Sequence, residues 1–131
     1  MGEQDRLAHG SDAHPDRVNP KDAVDVAAFA ALDLRVGDVV DVQPFPEARD
    51  PAWRLWVDFG PDLGVLATSA KITNYPREDL VGRQVVGAVN LGSRRIAGFD
   101  SQFLVLGGLA PDGTVHLLGV DGVLPAGAVI A

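Results

Sequence analysis

Apolar residues at every second position, in short runs that each stop at a proline, a glycine or an aspartate, restrict the folding of this chain more than any other feature. Trp53, Leu55, Val57 and Phe59 alternate with Arg54, Trp56 and Asp58, the period-two pattern of a half-buried strand. Gly60-Pro61-Asp62 then breaks the run, and a further strand is expected over 65–70. Similar runs lie at Leu34 to Val42, with Gly37 inside as a bulge or tight bend, at Arg83 to Leu91, at Phe103 to Leu106 and at Thr114 to Leu118. Pro111-Asp112-Gly113 supplies the turn before the last of these.

Helical signal is sparse. Asp22 or Asp25 can cap a short helix from Val24 to Leu32, rich in alanine and carrying the i, i+3 pair Phe29 and Leu32. Pro76 opens a single turn, Arg77-Glu78-Asp79-Leu80. Many short strands, one small helix between the third and fourth, and no strand–helix repetition predict an all-β Greek-key barrel; the five-stranded OB-fold is a barrel of this kind.

With 131 residues the chain is the size of one domain, and 47% hydrophobic against 22% charged residues is a globular balance. The polar, interrupted stretch 1–22 reads as a disordered N-terminal tail, and 23–131 as the folded domain. His9 and His14 in the tail read as a chance pair with no third metal ligand. The absence of cysteine excludes disulfides, thiolate metal sites and cysteine nucleophiles. No apolar run approaches a membrane span and the N-terminus is too polar for a secretory signal, so a cytoplasmic protein without a membrane role is expected. The formal net charge of −7 repels phosphate at long range, so a nucleic-acid role needs a local basic patch. Residues 101–131 carry only two charges, Asp112 and Asp121. Such a segment is either buried on both sides or meets a second copy of the chain, and a homodimer is the expectation.

Catalytic signatures are missing: no phosphate-binding Walker loop, no GxSxG, no HExxH and no GxGxxG. Asp58-Phe59-Gly60 is a strand end entering a turn. His116, between Val115 and Leu117, reads as a half-buried structural residue, and Glu78 with Asp79 as a solvated helix start. Neither an enzyme nor a cofactor or metal site is expected.

One segment stands apart. Asn90-Leu91-Gly92-Ser93-Arg94-Arg95-Ile96-Ala97-Gly98-Phe99-Asp100-Ser101 contains the only adjacent basic pair, in a loop between two apolar strands. Two guanidinium groups flanked by an amide and hydroxyls suit phosphate and sugar contacts, and Gly92 and Gly98 would permit close backbone approach. The alternative is a solvated loop whose arginines brace a neighbouring acid such as Asp100.

The runs LDLRVGDVV, FPEARDPAWRLWVDFG, ATSAKIT, VVGAVNLGSRRIAGFDSQFLVLGG and VLPAGAVIA resemble the CsaA family, small relatives of the tRNA-binding domains attached to methionyl- and phenylalanyl-tRNA synthetases. The resemblance covers roughly residues 29–131. It implies an OB-fold, a homodimer built through the terminal extensions, a tRNA-binding lineage without catalysis, and a proposed chaperone role in protein export that holds preproteins unfolded. By position it implies RNA contact for Asn90, Arg94, Arg95, Gly98 and Ser101, a basic site at Arg54 and the third-strand serine at Ser69. The chain departs from the family at Gly92 and Ser93, where prolines are frequent, and at Asp100 and Leu66, where basic residues are common; Lys71 replaces a common glutamine. Two readings follow. In one, Arg54, Lys71, Arg94 and Arg95 contact RNA phosphate while Asn90 and Ser101 meet sugar or base edges. In the other, unfolded polypeptide binds apolar pockets near the dimer interface, involving Phe45, Trp53 and Trp56, with Trp53 packed in the core and Trp56 the more exposed ring. An accessory dimerisation module without a ligand is the third possibility.

Overall fold

The structure, a computed structural model, describes residues 19–131; most of the expected tail and both its histidines lie outside the described residues. The leading helix α1 is shorter than its alanine content suggests, Val26–Ala30, and of the two possible caps Asp25 is the one used: its carboxylate accepts from the Ala27 N–H. Strands β1 (Leu34–Pro44), β2 (Trp53–Asp58) and β3 (Val65–Ala70) follow, then the single turn α2 (Arg77–Leu80) and β4 (Gln84–Ala88). The remaining pieces are β5 (Arg94–Ile96), β6 (Phe99–Ser101), β7 (Leu104–Val105), β8 (Gly107–Leu109) and β9 (Val115–Leu117).

Five strands form one antiparallel sheet in the order β3-β2-β1-β4-β7. The sheet curls until its ends meet, giving the expected OB-type barrel. Side chains and single backbone bonds make the closure. The Gln102 N–H donates to the Ala67 carbonyl at 2.7 Å while its side-chain oxygen accepts from the Ala67 N–H at 2.9 Å. Inside, the fully buried Leu55, Val57, Phe59, Ile72 and Leu80 pack with Val85 and Phe103. Leu80 is the inward residue of α2 and explains why a single helical turn sits there.

Two details correct the sequence reading of β1. The bulge is at Val40, where the register against β2 jumps from Val39↔Val57 to Asp41↔Trp56, and not at Gly37. Gly37 serves a different purpose. A Cβ there would lie 2.5 Å from a Val57 methyl and 2.8 Å from the Phe59 ring. Gly87, across in β4, likewise would collide with Phe103 at 2.8 Å. The two glycines make room for the edge-to-face pair Phe59–Phe103, with ring centroids 4.9 Å apart.

The segment 90–101 is not a plain loop. Residues 94–101 form a hairpin, β5 against β6, in which Ala97 and Gly98 connect the pair Ile96↔Phe99. Both connecting residues have positive φ, 48° and 82°, the signature of a type I′ turn that matches strand twist. The alanine hid this turn from the sequence reading, because Asn or Gly is the usual first residue there. Gly98 has open space where a Cβ would point, so the turn, and not close approach of a backbone, requires it; the same open space surrounds Gly92.

A second addition, β8, pairs with β9 near the C-terminus. Tyr75 and Asn74 hold β9 to the barrel: the tyrosine hydroxyl accepts from the Leu117 N–H and the asparagine amide donates to the Val115 carbonyl, each at 3.0 Å. His116 points outward and is exposed, in contrast to the half-buried position expected. The final residues run beside the start of β1, with Gly127, Ala128 and Ile130 bonded to Val36 and Leu34.

Two stability measurements test these assignments. Gly37→Ala should lower the urea midpoint at unchanged m-value, by about 1–3 kcal/mol of overpacking. Ala97→Asn should raise it by about 0.5–1 kcal/mol, because asparagine tolerates the left-handed conformation better than alanine.

Candidate nucleic-acid interface

Strand pairing dictates where the two arginines can point. Neighbouring residues of a strand face opposite sides, so Arg94 and Arg95 cannot both grip one phosphate. Arg94 pairs with Ser101 and Ile96 with Phe99, which places these four residues on one face of the hairpin. Phe99 touches the barrel wall, its ring 5.5 Å from Phe45 and 5.8 Å from Trp56, both edge-to-face. That face therefore looks at the barrel, and Arg94 at its start is exposed. Arg95 sits on the outer face opposite Asp100, and the two form an ion pair at 2.9 Å. The bracing role considered for the arginines thus holds for Arg95. Arg94 has no carboxylate partner among the described residues.

Arg54, on the outer side of β2 opposite Ser69 of β3, is committed to the wall. Its Nε donates to the Pro44 carbonyl at 3.0 Å, and its guanidinium carbon lies 5.3 Å from the Phe45 ring centre and 5.8 Å from that of Phe99. Lys71 just beyond β3 is exposed and pairs with Asp50 at 2.9 Å. The hydrogen bond from Lys71 holds the Asp50 carboxyl below the usual carboxylate range. Asp41 is lowered too, first by the Gln43 amide and also by Arg77. These acids remain charged throughout the neutral range, so the basic side chains beside them meet a competing anion in place.

Several residues expected at the ligand surface are structural. The Ser101 side chain is buried, its hydroxyl 3.0 Å from that of Thr68. Asn90 is exposed, yet both ends of its amide are used: it donates to the Ala31 carbonyl and accepts from the Asp33 N–H, each at 2.8 Å. It ties the end of α1 to the end of β4. Phe45 is 5% exposed, which removes it from the surface where polypeptide would dock. Trp53 packs against the core, as expected, and donates to the Tyr75 carbonyl at 3.0 Å. Trp56 is half-buried beneath Phe99. Phe99 was not among the expected site residues; the only signal for it was its position two residues before the buried Ser101, which puts both on one strand face.

The remaining arrangement is an exposed Arg94 on a hairpin seated by Phe99 on the half-buried Trp56, with two exposed ion-paired cations, Arg95 and Lys71. Such a surface can accept a phosphate beside a flat apolar group. Among the described residues no helix is long and apolar enough to cross a membrane.

A family model for a putative tRNA binding domain matches residues 34–129. The CsaA chaperone of Bacillus anthracis is similar in structure at a TM-score of 0.79 with 46% identity, covering 84% of this chain and all of that one. The CsaA chaperone protein of Picrophilus torridus gives a TM-score of 0.80 with 38% identity, covering 83% of this chain and again all of that one. The methionine–tRNA ligase of Methanothrix thermoacetophila is 38% identical over 117 residues, which is 88% of this chain and 17% of the ligase. The chain spans 14–17% of the length of the curated ligases it matches, and so corresponds to one domain of each. Its barrel, its hairpin and these likenesses over nearly the whole of residues 34–129 place the chain in the putative tRNA-binding domain family, with the CsaA proteins.

Proposed function

We propose that this chain is a non-catalytic, homodimeric tRNA-binding protein that contacts RNA phosphates through the β5–β6 hairpin. The observation that carries the reading is the built turn presenting an exposed Arg94, without a carboxylate partner among the described residues, beside the barrel wall. Arg95 joins by exchange. Its pair with Asp100 has both side chains more than half exposed, and pairs of this kind contribute only about 0–1 kcal/mol, so an RNA phosphate can replace the carboxylate. Lys71 can exchange Asp50 in the same way. RNA shape rather than sequence sets the preference, because the hairpin side offers charge and apolar surface and few unused hydrogen-bonding groups.

The dimer rests on the termini. Helix α1 has no buried residue in the single chain, and a five-residue helix is not stable without tertiary cover. Phe29, Leu32, Leu104, Leu109, Leu118 and Val129 are all between 42% and 64% exposed. A second copy covers such a surface; isolated monomers would expose it to aggregation. The charge-poor C-terminal segment is thus read as a contact between copies and not as strands buried on both sides. Dimerisation doubles the number of arginine-bearing hairpins available to one RNA.

A second reading, an export chaperone that holds unfolded preproteins, is favoured by the same exposed apolar groups and by the CsaA relatives, which are described as chaperones. Of its expected aromatic contacts, the half-buried Trp56 is the one on the outer face of β2.

If Arg94 and Arg95 of two subunits meet phosphates, roughly four charges are neutralised, and log K for tRNA should fall against log salt with a slope of about −3 to −4. Changing both arginines to alanine should remove most of that slope. Asp100→Lys should tighten binding by removing the competing anion. No measurable tRNA binding at about 50 mM salt, with suppression of client aggregation intact in the double alanine variant, would replace the RNA reading by the chaperone one. Light scattering should give twice the 13.8 kDa of one chain, and Phe29→Asp should bring the mass down to one chain with the barrel still folded. A single-chain mass for the parent protein rules the dimer out.

A further inference from the structure

The hairpin that bears Arg94 touches the barrel at two places, and neither is an RNA-type contact. Near the turn, Phe99 is wedged between Phe45 and Trp56, under the Arg54 guanidinium. At the base of β6, Ser101 is latched to Thr68, and the Ser69 N–H also points at the Ser101 hydroxyl, at 3.4 Å. A two-stranded hairpin of three residues per strand is not stable by itself, so these contacts determine which way Arg94 projects. Arg54 holds its place over the Phe45 and Phe99 rings and through a hydrogen bond from its Nε–H to the Pro44 carbonyl, an arrangement that uses the reach and fork of the guanidinium as well as its charge.

We propose that Phe99 and Arg54 are positioning residues: Arg54 acts on RNA through Phe99, by fixing the heading of the hairpin, and not as a phosphate ligand. The inference rests on the RNA reading above and reassigns one of its expected contacts. Physically, a seated hairpin presents Arg94 without an ordering cost at the moment of binding. An unseated one can still reach phosphate, but several backbone residues must then be ordered first.

The test uses the full chain and bulk tRNA. Phe99→Ala should weaken binding roughly tenfold while the salt slope stays that of the parent, because the same charges are neutralised. Phe99→Tyr should restore affinity. Arg54→Lys and Arg54→Met should weaken binding alike, since lysine keeps the charge and loses the Nε–H that bonds the Pro44 carbonyl; this surface position leaves the core untouched if Phe99→Ala misfolds. In the RNA-free protein, amide hydrogen exchange at β5 and β6 should quicken in Phe99→Ala and in both Arg54 variants, with barrel strands still protected. The proposal is overturned if Arg54→Lys binds as the parent does while Arg54→Met flattens the slope by about one per chain, the mark of a phosphate ligand. Parent-like affinity and exchange in Phe99→Ala also overturn it. Failure of the parent to bind tRNA at all overturns the RNA reading instead, and the exchange measurement in free protein then still decides whether the clasp seats the hairpin.

Discussion

Thr68, 1% exposed on β3, stands where the barrel has to close, and its single hydroxyl proton goes to the Phe103 carbonyl at 2.8 Å. The proton between Thr68 and Ser101 must therefore come from the serine, whose oxygen is left facing the Ser69 N–H. This short relay, with Gln102 bonded to both sides of Ala67, does the work of a strand ladder between β3 and the segment that follows the hairpin. No buried side-chain nitrogen or oxygen among the described residues is left without a partner. The seam's buried side chains are thus satisfied, which is the condition under which buried polar groups specify a structure and do not weaken it. Everything attached there inherits its position: Phe103 inside the core, β7 along β4, and the hairpin outside the wall.

Because closure is made by residues immediately after β6, the hairpin is not an appendage that a linker could swing. Its base is part of the seam and its tip is pinned by an aromatic clasp. The consequence for an acidic chain is specific. Net charge of −7 acts over roughly a Debye length, about 8–10 Å at moderate salt, and repels RNA over that range. On the proposed RNA reading, contact comes from local geometry, one arginine held in place and others released from exposed ion pairs. Arg95 with Asp100 and Lys71 with Asp50 are pairs whose partners give little stability and are easily exchanged.

Much of this protein follows from local rules that a sequence displays. The alternation from Trp53 to Phe59, the turn at Gly60-Pro61-Asp62 and the single helical turn after Pro76 predict β2, β3 and α2 at nearly their observed bounds, because burial of one face selects the period and proline or glycine selects the stop. The barrel class follows from the count and order of those pieces. Resemblance of whole runs to the CsaA family gave the fold and the lineage that the family match and the solved structures bear out. What the residues around 90–101 do was only half legible. An unusual basic pair is visible as letters; that its members face opposite sides becomes visible only once the segment is known to be paired strands.

The difference has one cause. A residue's type and its near neighbours decide whether it suits a strand, a turn or a cap, and those preferences by themselves determined the all-β barrel and the placement of most of its strands. Whether a polar side chain is offered to a ligand depends on partners far along the chain. Ser101 meets Thr68, Asn90 meets Ala31 and Asp33, and Arg54 meets Phe45 and Phe99, contacts that span between nine and fifty-nine positions. Only the folded chain brings these atoms within 2.8–5.8 Å of each other. It engages Ser101, Asn90 and Arg54 in bonds within the fold and leaves Arg94 without a carboxylate partner among the described residues.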